Sequence, residues 1–207
     1  MVESALIHNR FAERLRADDS VLVIVDGQSE ALAAAGSRDR RDALRNNLVG
    51  LARLGHAFGL PTVLGVGGAG GGAVLDELID LFGPGAIARR RGCGFWDDPA
   101  SREAVLSMGR HRLILASLAA GFGLASTALA ARADGLDVHA VLDASAGSGD
   151  AVERLGLARM AAAGVRLTSW VAVLAELGAT GVDKRGGNGA AAVRDNLDRY
   201  ATLSALR

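Results

Sequence analysis

Apolar residues recur along this chain in two alternating rhythms. Val21, Leu22, Val23, Ile24 and Val25 run without a polar break into Asp26. An unbroken, Val-rich run is how a strand covered by helices on both faces reads. The next apolar set, Leu44, Leu48, Leu51, Leu54 and Phe58, recurs every three or four residues within 40–58. That spacing predicts an amphipathic helix, stopped by Gly59-Leu60-Pro61. The alternation then repeats, with strands at 62–66, 86–88, 113–116, 138–142 and 165–168. Helices are expected at 74–82, 99–108, within 117–131, at 151–163 and at 170–177. Each connection is long enough to cross over, so the class is α/β: a three-layer, doubly wound, six-stranded parallel sheet with helices on both faces. An N-terminal helix over 3–16 carries Leu6, Ile7, Phe11 and Leu15 at helical spacing. Residues 1–178 form one domain on this reading, and 179–207 a linker and a final helix at 190–206 that docks on a partner subunit.

Composition narrows the function. With 23 basic and 23 acidic residues the formal charge is zero, which leaves no field for nucleic acid or an anionic membrane. No apolar run approaches the roughly 18 residues of a membrane span, and the opening MVESALIHNRFAERL lacks the apolar heart of a signal peptide. A soluble, cytoplasmic protein is expected. Cys93 is the only cysteine, which rules out an internal disulfide and a cysteine-based metal cluster. His8, His56, His111 and His139 show no i, i+4 pairing, so no metal and no cofactor is expected.

Candidate chemistry gathers at strand ends. Asp26 ends the first strand, where an open parallel sheet forms its ligand crevice; capping of the next helix explains it equally well. The run GVGGAGGG at 65–72 lacks the Lys-Ser or Lys-Thr of a phosphate loop, and reads as a loop bordering the site. Of Arg89-Arg90-Arg91, Arg90 and Arg91 read as a solvated turn, whereas Arg89 sits at a strand end on the rim of Asp26. Cys93 is either an inert thiol or a displaced nucleophile. Phe95 and Trp96 are core filler or pocket walls. Gln28 binds substrate or orients the pocket, and Ala119, Gly121 and Phe122 precede a helix whose first amides point outward.

These segments carry a resemblance. VIVDGQ around Asp26, NNLVGLARLGHAFGLPTVL at 46–64, IARRRGCGFWDD at 87–98, the stretch 113–147 and RMAAAGVRLTSWVAVLAEL at 159–177 resemble the isochorismatase-like hydrolase superfamily. The Trp-Asp pair and the TSWVAVLAEL ending point to its YcaC-type branch. The usual catalytic set of that superfamily is an aspartate, a lysine and a cysteine. The resemblance places the aspartate on Asp26, the lysine on Arg89 and the cysteine on Gly123, so two of the three are changed. Lys184, the only lysine, lies in the tail. Glycine at the cysteine's place is similar to the true isochorismatases, which cleave a vinyl ether without a thiol. An arginine in the lysine's place offers a planar fork to a carboxylate but shuttles no proton, and it favours an ionised Asp26 acting as base or electrostatic group. Two functions follow. One is a thiol-free hydrolase of a small metabolite, with Asp26 as acid/base, Arg89 as clamp and the amides at Gly121–Gly123 as cradle. The other is a diverged member serving as a ligand-binding or assembly subunit. The resemblance also implies a homo-oligomer, from dimer to octamer.

Overall fold

A computed structural model describes residues 13–67, 72–119, 123–147, 151–180 and 189–204. Six parallel strands form its centre: β1 (Ser20–Val25), β2 (Thr62–Val66), β3 (Ile87–Arg89), β4 (Arg112–Ser117), β5 (Asp137–Val141) and β6 (Arg166–Thr168). Their order across the sheet is β3-β2-β1-β4-β5-β6. The chain therefore winds outward from β1 to β3, returns to β1's other side at β4, and winds outward again. Between the carboxyl ends of β1 and β4 lies the point where the strand order reverses, the usual ligand crevice of such sheets.

Every residue of β1 and of β4 is buried, as expected for strands sandwiched between helix layers. One layer packs Leu22, Ile24 and Ile114 against α2 (Arg38–Ala57) and α7 (Trp170–Thr180). The other packs Val21, Val23, Val25, Leu113 and Leu115 against α4 (Pro99–Leu106), α5 (Gly123–Ala133) and α6 (Ala151–Ala162). Two short helices complete the first layer, α1 (Ser29–Ala33) and α3 (Asp76–Phe82). The sequence pattern does not predict α1. Helix α3 begins two residues later than its apolar pattern suggests, because Val74 pairs with Gln28 in an isolated antiparallel bridge.

The ends of the chain differ from expectation. Most of the N-terminal helix expected over 3–16 lies outside the described residues, and residues 13–16 are not helical. They cross the sheet's amino edge, where the Arg112 guanidinium grips the Glu13 carboxylate at 2.7 Å and Arg166 donates to the Glu13 carbonyl at 2.7 Å. The C-terminal helix, expected outside the core, packs onto the core of its own chain. It follows α8 (Gly189–Ala192) as α9 (Arg194–Ser204). Asn46 of α2 and Asn196 of α9 are buried and exchange hydrogen bonds: Asn46 Nδ2 donates to the Asn196 carbonyl at 3.0 Å, and Asn196 Nδ2 to the Asn46 carbonyl at 2.9 Å. Val193, Leu197 and Tyr200 turn their apolar side to the core, with Tyr200 edge-on to Trp170. Among the described residues no helix is long and apolar enough to cross a membrane.

His139, in the middle of β5, is buried with its Nε2 unpartnered. Its pKa is pushed from 6.5 down to about 4, first by burial and then by Arg166, with Arg112 adding to the effect and Asp137 opposing it. The unfolded chain therefore binds a proton between pH 6.5 and about 4 that the folded chain refuses. Stability is full above pH 6.5 and falls as the pH drops towards 4, by about 3 kcal/mol from this group. Urea unfolding at pH 7, 5 and 4 checks this, since His139→Gln should flatten that part of the acid loss.

Candidate active site

Asp26 follows β1 directly. It is the only non-glycine residue with positive φ among the described residues, at 54°. Aspartate tolerates this left-handed conformation better than most side chains, and strain of this kind gathers at functional sites. The turn is held because the Asp26 N–H donates to the Gly65 carbonyl at 2.7 Å and the Gln28 N–H to the Asp26 carbonyl at 2.6 Å.

The carboxylate meets a guanidinium in a two-pronged pair. Arg90 Nη1 donates to Asp26 Oδ1 at 2.7 Å and Nη2 to Oδ2 at 2.8 Å. Only 9% of either side chain is exposed. Arg90 Nε donates to the Gly92 carbonyl at 3.1 Å, so every edge of the fork is used. Arg90, read from sequence as part of a solvated turn, is thus the residue that clamps Asp26. Arg89, expected in that place, is exposed. The reason is strand alternation. Ile87 packs into the layer of α3 and Ala88 into that of α4. Arg89 follows Ile87's side, while Arg90 follows Ala88's and extends the ladder through its N–H to the Val66 carbonyl at 3.1 Å.

Gln28 is buried, and both ends of its amide are committed. Its Nε2 donates to the Gly72 carbonyl at 2.6 Å, and its Oε1 accepts the Gly67 N–H at 3.1 Å. It therefore staples the two stems of the glycine-rich segment rather than offering a free group to substrate. Glycine suits position 67: a Cβ there would stand 3.2 Å from Arg90 Nη2 and 3.4 Å from Asp26 Oδ1, closer than ordinary contact.

Phe95 and Trp96, weighed as pocket walls, are buried in the core with Val21, Val23 and Val63. The Phe95 ring lies against Gly65 of β2. Trp96 Nε1 donates to Asp134 Oδ2 at 2.7 Å, and hydrogen bonds from Arg102 and then Trp96 hold the Asp134 carboxyl below the ordinary range. Cys93 is exposed. Asp143, which repeats the strand-then-acid pattern after β5, accepts the Trp170 N–H at 2.9 Å and so caps α7.

On the other side of the crevice, Gly123 is buried as the first residue of α5. A Cβ added there would press on the Ala119 methyl and stand 2.9 Å from Ser117 Oγ, so the surroundings fit glycine. Ala119 is half-buried and lines a small cavity of mixed polarity with Leu124, Ala125, Leu142, Ser145 and Glu153. Gly121 and Phe122 lie outside the described residues. Among the described residues no three His, Cys, Asp or Glu side chains gather as a metal site requires.

Comparison with known proteins gives this crevice its context. No family model matches the chain. The probable hydrolase YcaC of Escherichia coli is 32% identical over 168 residues, spanning 79% of this chain and 80% of that protein. The chain belongs to the isochorismatase-like hydrolase superfamily. Within it the likeness is to the YcaC branch. The crystal structure of E. coli YcaC, described as an octameric hydrolase of unknown specificity, superposes with a TM-score of 0.80 at 29% identity over 93% of this chain and 95% of that one. YcaC from Pseudomonas aeruginosa, solved with hexane-2,5-diol and covalent acrylamide, gives 0.80 at 30% identity over 94% and 96%. An isochorismatase-family protein from Burkholderia thailandensis shares the fold, at a TM-score of 0.65 and 16% identity over 79% of this chain and 98% of that one. The six-stranded parallel sheet flanked by helices is the superfamily's fold.

Proposed function

We propose that the chain is a thiol-free hydrolase of a small metabolite, with Asp26 as its acid/base group. The observation that carries this is the buried, two-pronged Asp26–Arg90 pair, whose carboxylate follows β1, a strand that borders the strand-order reversal. Asp26 serves as base, accepting a proton from water as that water attacks an acyl or amide carbon. The negative oxygen that develops is held by the opening N–H groups of α5 at Gly123, which have no acceptor within the helix. In this reading Gly123 takes the place of the superfamily's cysteine and Arg89 that of its lysine. The task of holding Asp26 falls to Arg90, and Arg89, exposed at the rim, is left for an anionic group of the substrate.

The octameric state described for E. coli YcaC supports a homo-oligomer here as well. A second reading, a diverged subunit that binds or assembles without turnover, is favoured only by the glycine at 123. The two separate on a panel of small amides and acyl compounds. Wild type should hydrolyse one of them, and Cys93→Ala should retain the full rate, because the exposed thiol has no part in the reaction. Loss of turnover in Cys93→Ala would replace this mechanism with a displaced cysteine nucleophile. No turnover across the panel by any form would favour the binding subunit.

A further inference from the structure

Helix α6 has the composition of a helix covered on two sides, and its own chain covers one. Its residues are apolar or glycine apart from Glu153, Arg154 and Arg159, and a helix apolar nearly all round is ordinarily buried. Glu153, Gly156, Leu157 and Met160 turn inward and line the small cavity beside α5. Of the helix's residues only Met160 is buried. On the outward side Val152 is 56% and Leu155 61% exposed, the most exposed large apolar side chains among the described residues.

The outward apolar positions keep a register. Ala151, Leu155, Ala158 and Ala162 are all exposed and follow one another at steps of four, three and four. That is the seam spacing by which one helix seats along another. With alanine at three of the four places, two backbones can approach to about 8 Å, the near end of helix packing distances.

The flanking charges select the occupant and its direction. Arg154 and Arg159 border the seam on opposite sides. Were a second α6 laid parallel on the first, each Arg154 would meet the partner's Arg159, like charge against like charge across the seam. Laid antiparallel, Leu155 seats beside the partner's Ala158 and Ala151 beside the partner's Ala162. Arg159 then meets the partner's Val152, and Arg154 meets the partner's Ala161. Each arginine stem covers an apolar side chain while its charged head stays in water. The face is thus complementary to itself, as a two-fold contact between identical subunits requires.

We infer that the outer face of α6 is a subunit interface, seated antiparallel across a two-fold axis on α6 of a second copy of this chain. The inference rests on the homo-oligomer proposed above and names the face that forms it.

Sedimentation velocity on the full chain and its variants, each shown folded by circular dichroism, tests it. Wild type should sediment as a dimer or a larger assembly. Leu155→Arg, which sets a charge at the centre of the seam, should weaken assembly about tenfold or more and lower the mass at concentrations where wild type stays whole. Val152→Arg should weaken it too, because the new cation faces the partner's Arg159, and the double variant Val152→Arg/Arg159→Glu should restore it. Positions 152 and 159 stand about 10 Å apart along one helix, so this rescue runs between copies. An unchanged mass in Leu155→Arg, or a double variant no better assembled than Val152→Arg, overturns the interface and leaves the homo-oligomer standing. A monomeric wild type overturns both.

Discussion

Replacing Arg90 with alanine is expected to destabilise the protein by about 3–5 kcal/mol, the cost of stranding a buried charge without its partner. For a chain of this size that lowers the unfolding midpoint by about 6–20 °C. The same change at Arg89 should stay within about 0.5 kcal/mol, as for other exposed residues away from special contacts. The asymmetry follows from geometry. The Arg90 fork closes on both oxygens of Asp26 at 2.7 and 2.8 Å and on the Gly92 carbonyl at 3.1 Å, whereas Arg89 is exposed on an edge strand. Removing Arg90 leaves the Asp26 carboxylate, its backbone already in a left-handed turn, to be solvated by whatever water enters. Arg90→Lys should recover only part of the loss, because an ammonium cannot match two oxygens in one plane. Calorimetric scans of the four proteins side by side check the series.

The fold was largely legible in the sequence because its strongest signals are local. An uninterrupted run such as Val21–Val25 has no polar face to show to water, and β1 is buried throughout. The three-to-four spacing from Leu44 to Phe58 marks a helix that covers the sheet. The five-residue helix Ser29–Ala33 escapes such a reading because so short a segment shows barely one helical turn. Asp26 could be selected from its place at a strand end. Its partner could not, because a choice between neighbouring arginines is a question of strand phase. β3 has only three residues, so the sequence leaves that phase open, while pairing of Val66 with Arg89 settles it. Phe95 and Trp96 illustrate the opposite limit. The glycines that precede them suggest an open loop, yet Gly65 on a neighbouring strand makes room for the Phe95 ring, a contact 30 residues away in sequence that no local pattern encodes. That the tail helix joins the core escapes the sequence for a similar cause, because the exchange between Asn46 and Asn196 links residues 150 positions apart.

Asp26→Asn is expected to have the largest effect on activity. Asparagine tolerates the left-handed backbone at φ 54° and retains an oxygen that accepts from Arg90, so the turn and part of the clamp survive. What disappears is the negative charge able to take a proton from water. Positioned general bases contribute about 10²–10⁴-fold to rate. Because Arg90 loses its counter-charge, the variant will also unfold more easily, and the comparison belongs at a temperature where denaturation curves show both proteins folded. The deciding measurement is kcat/KM of wild type and Asp26→Asn on the same hydrolysed compound under those conditions. A fall of at least about a hundredfold is the predicted result. Equal values in two folded proteins would contradict it, and would reduce the Asp26–Arg90 pair to a structural clasp.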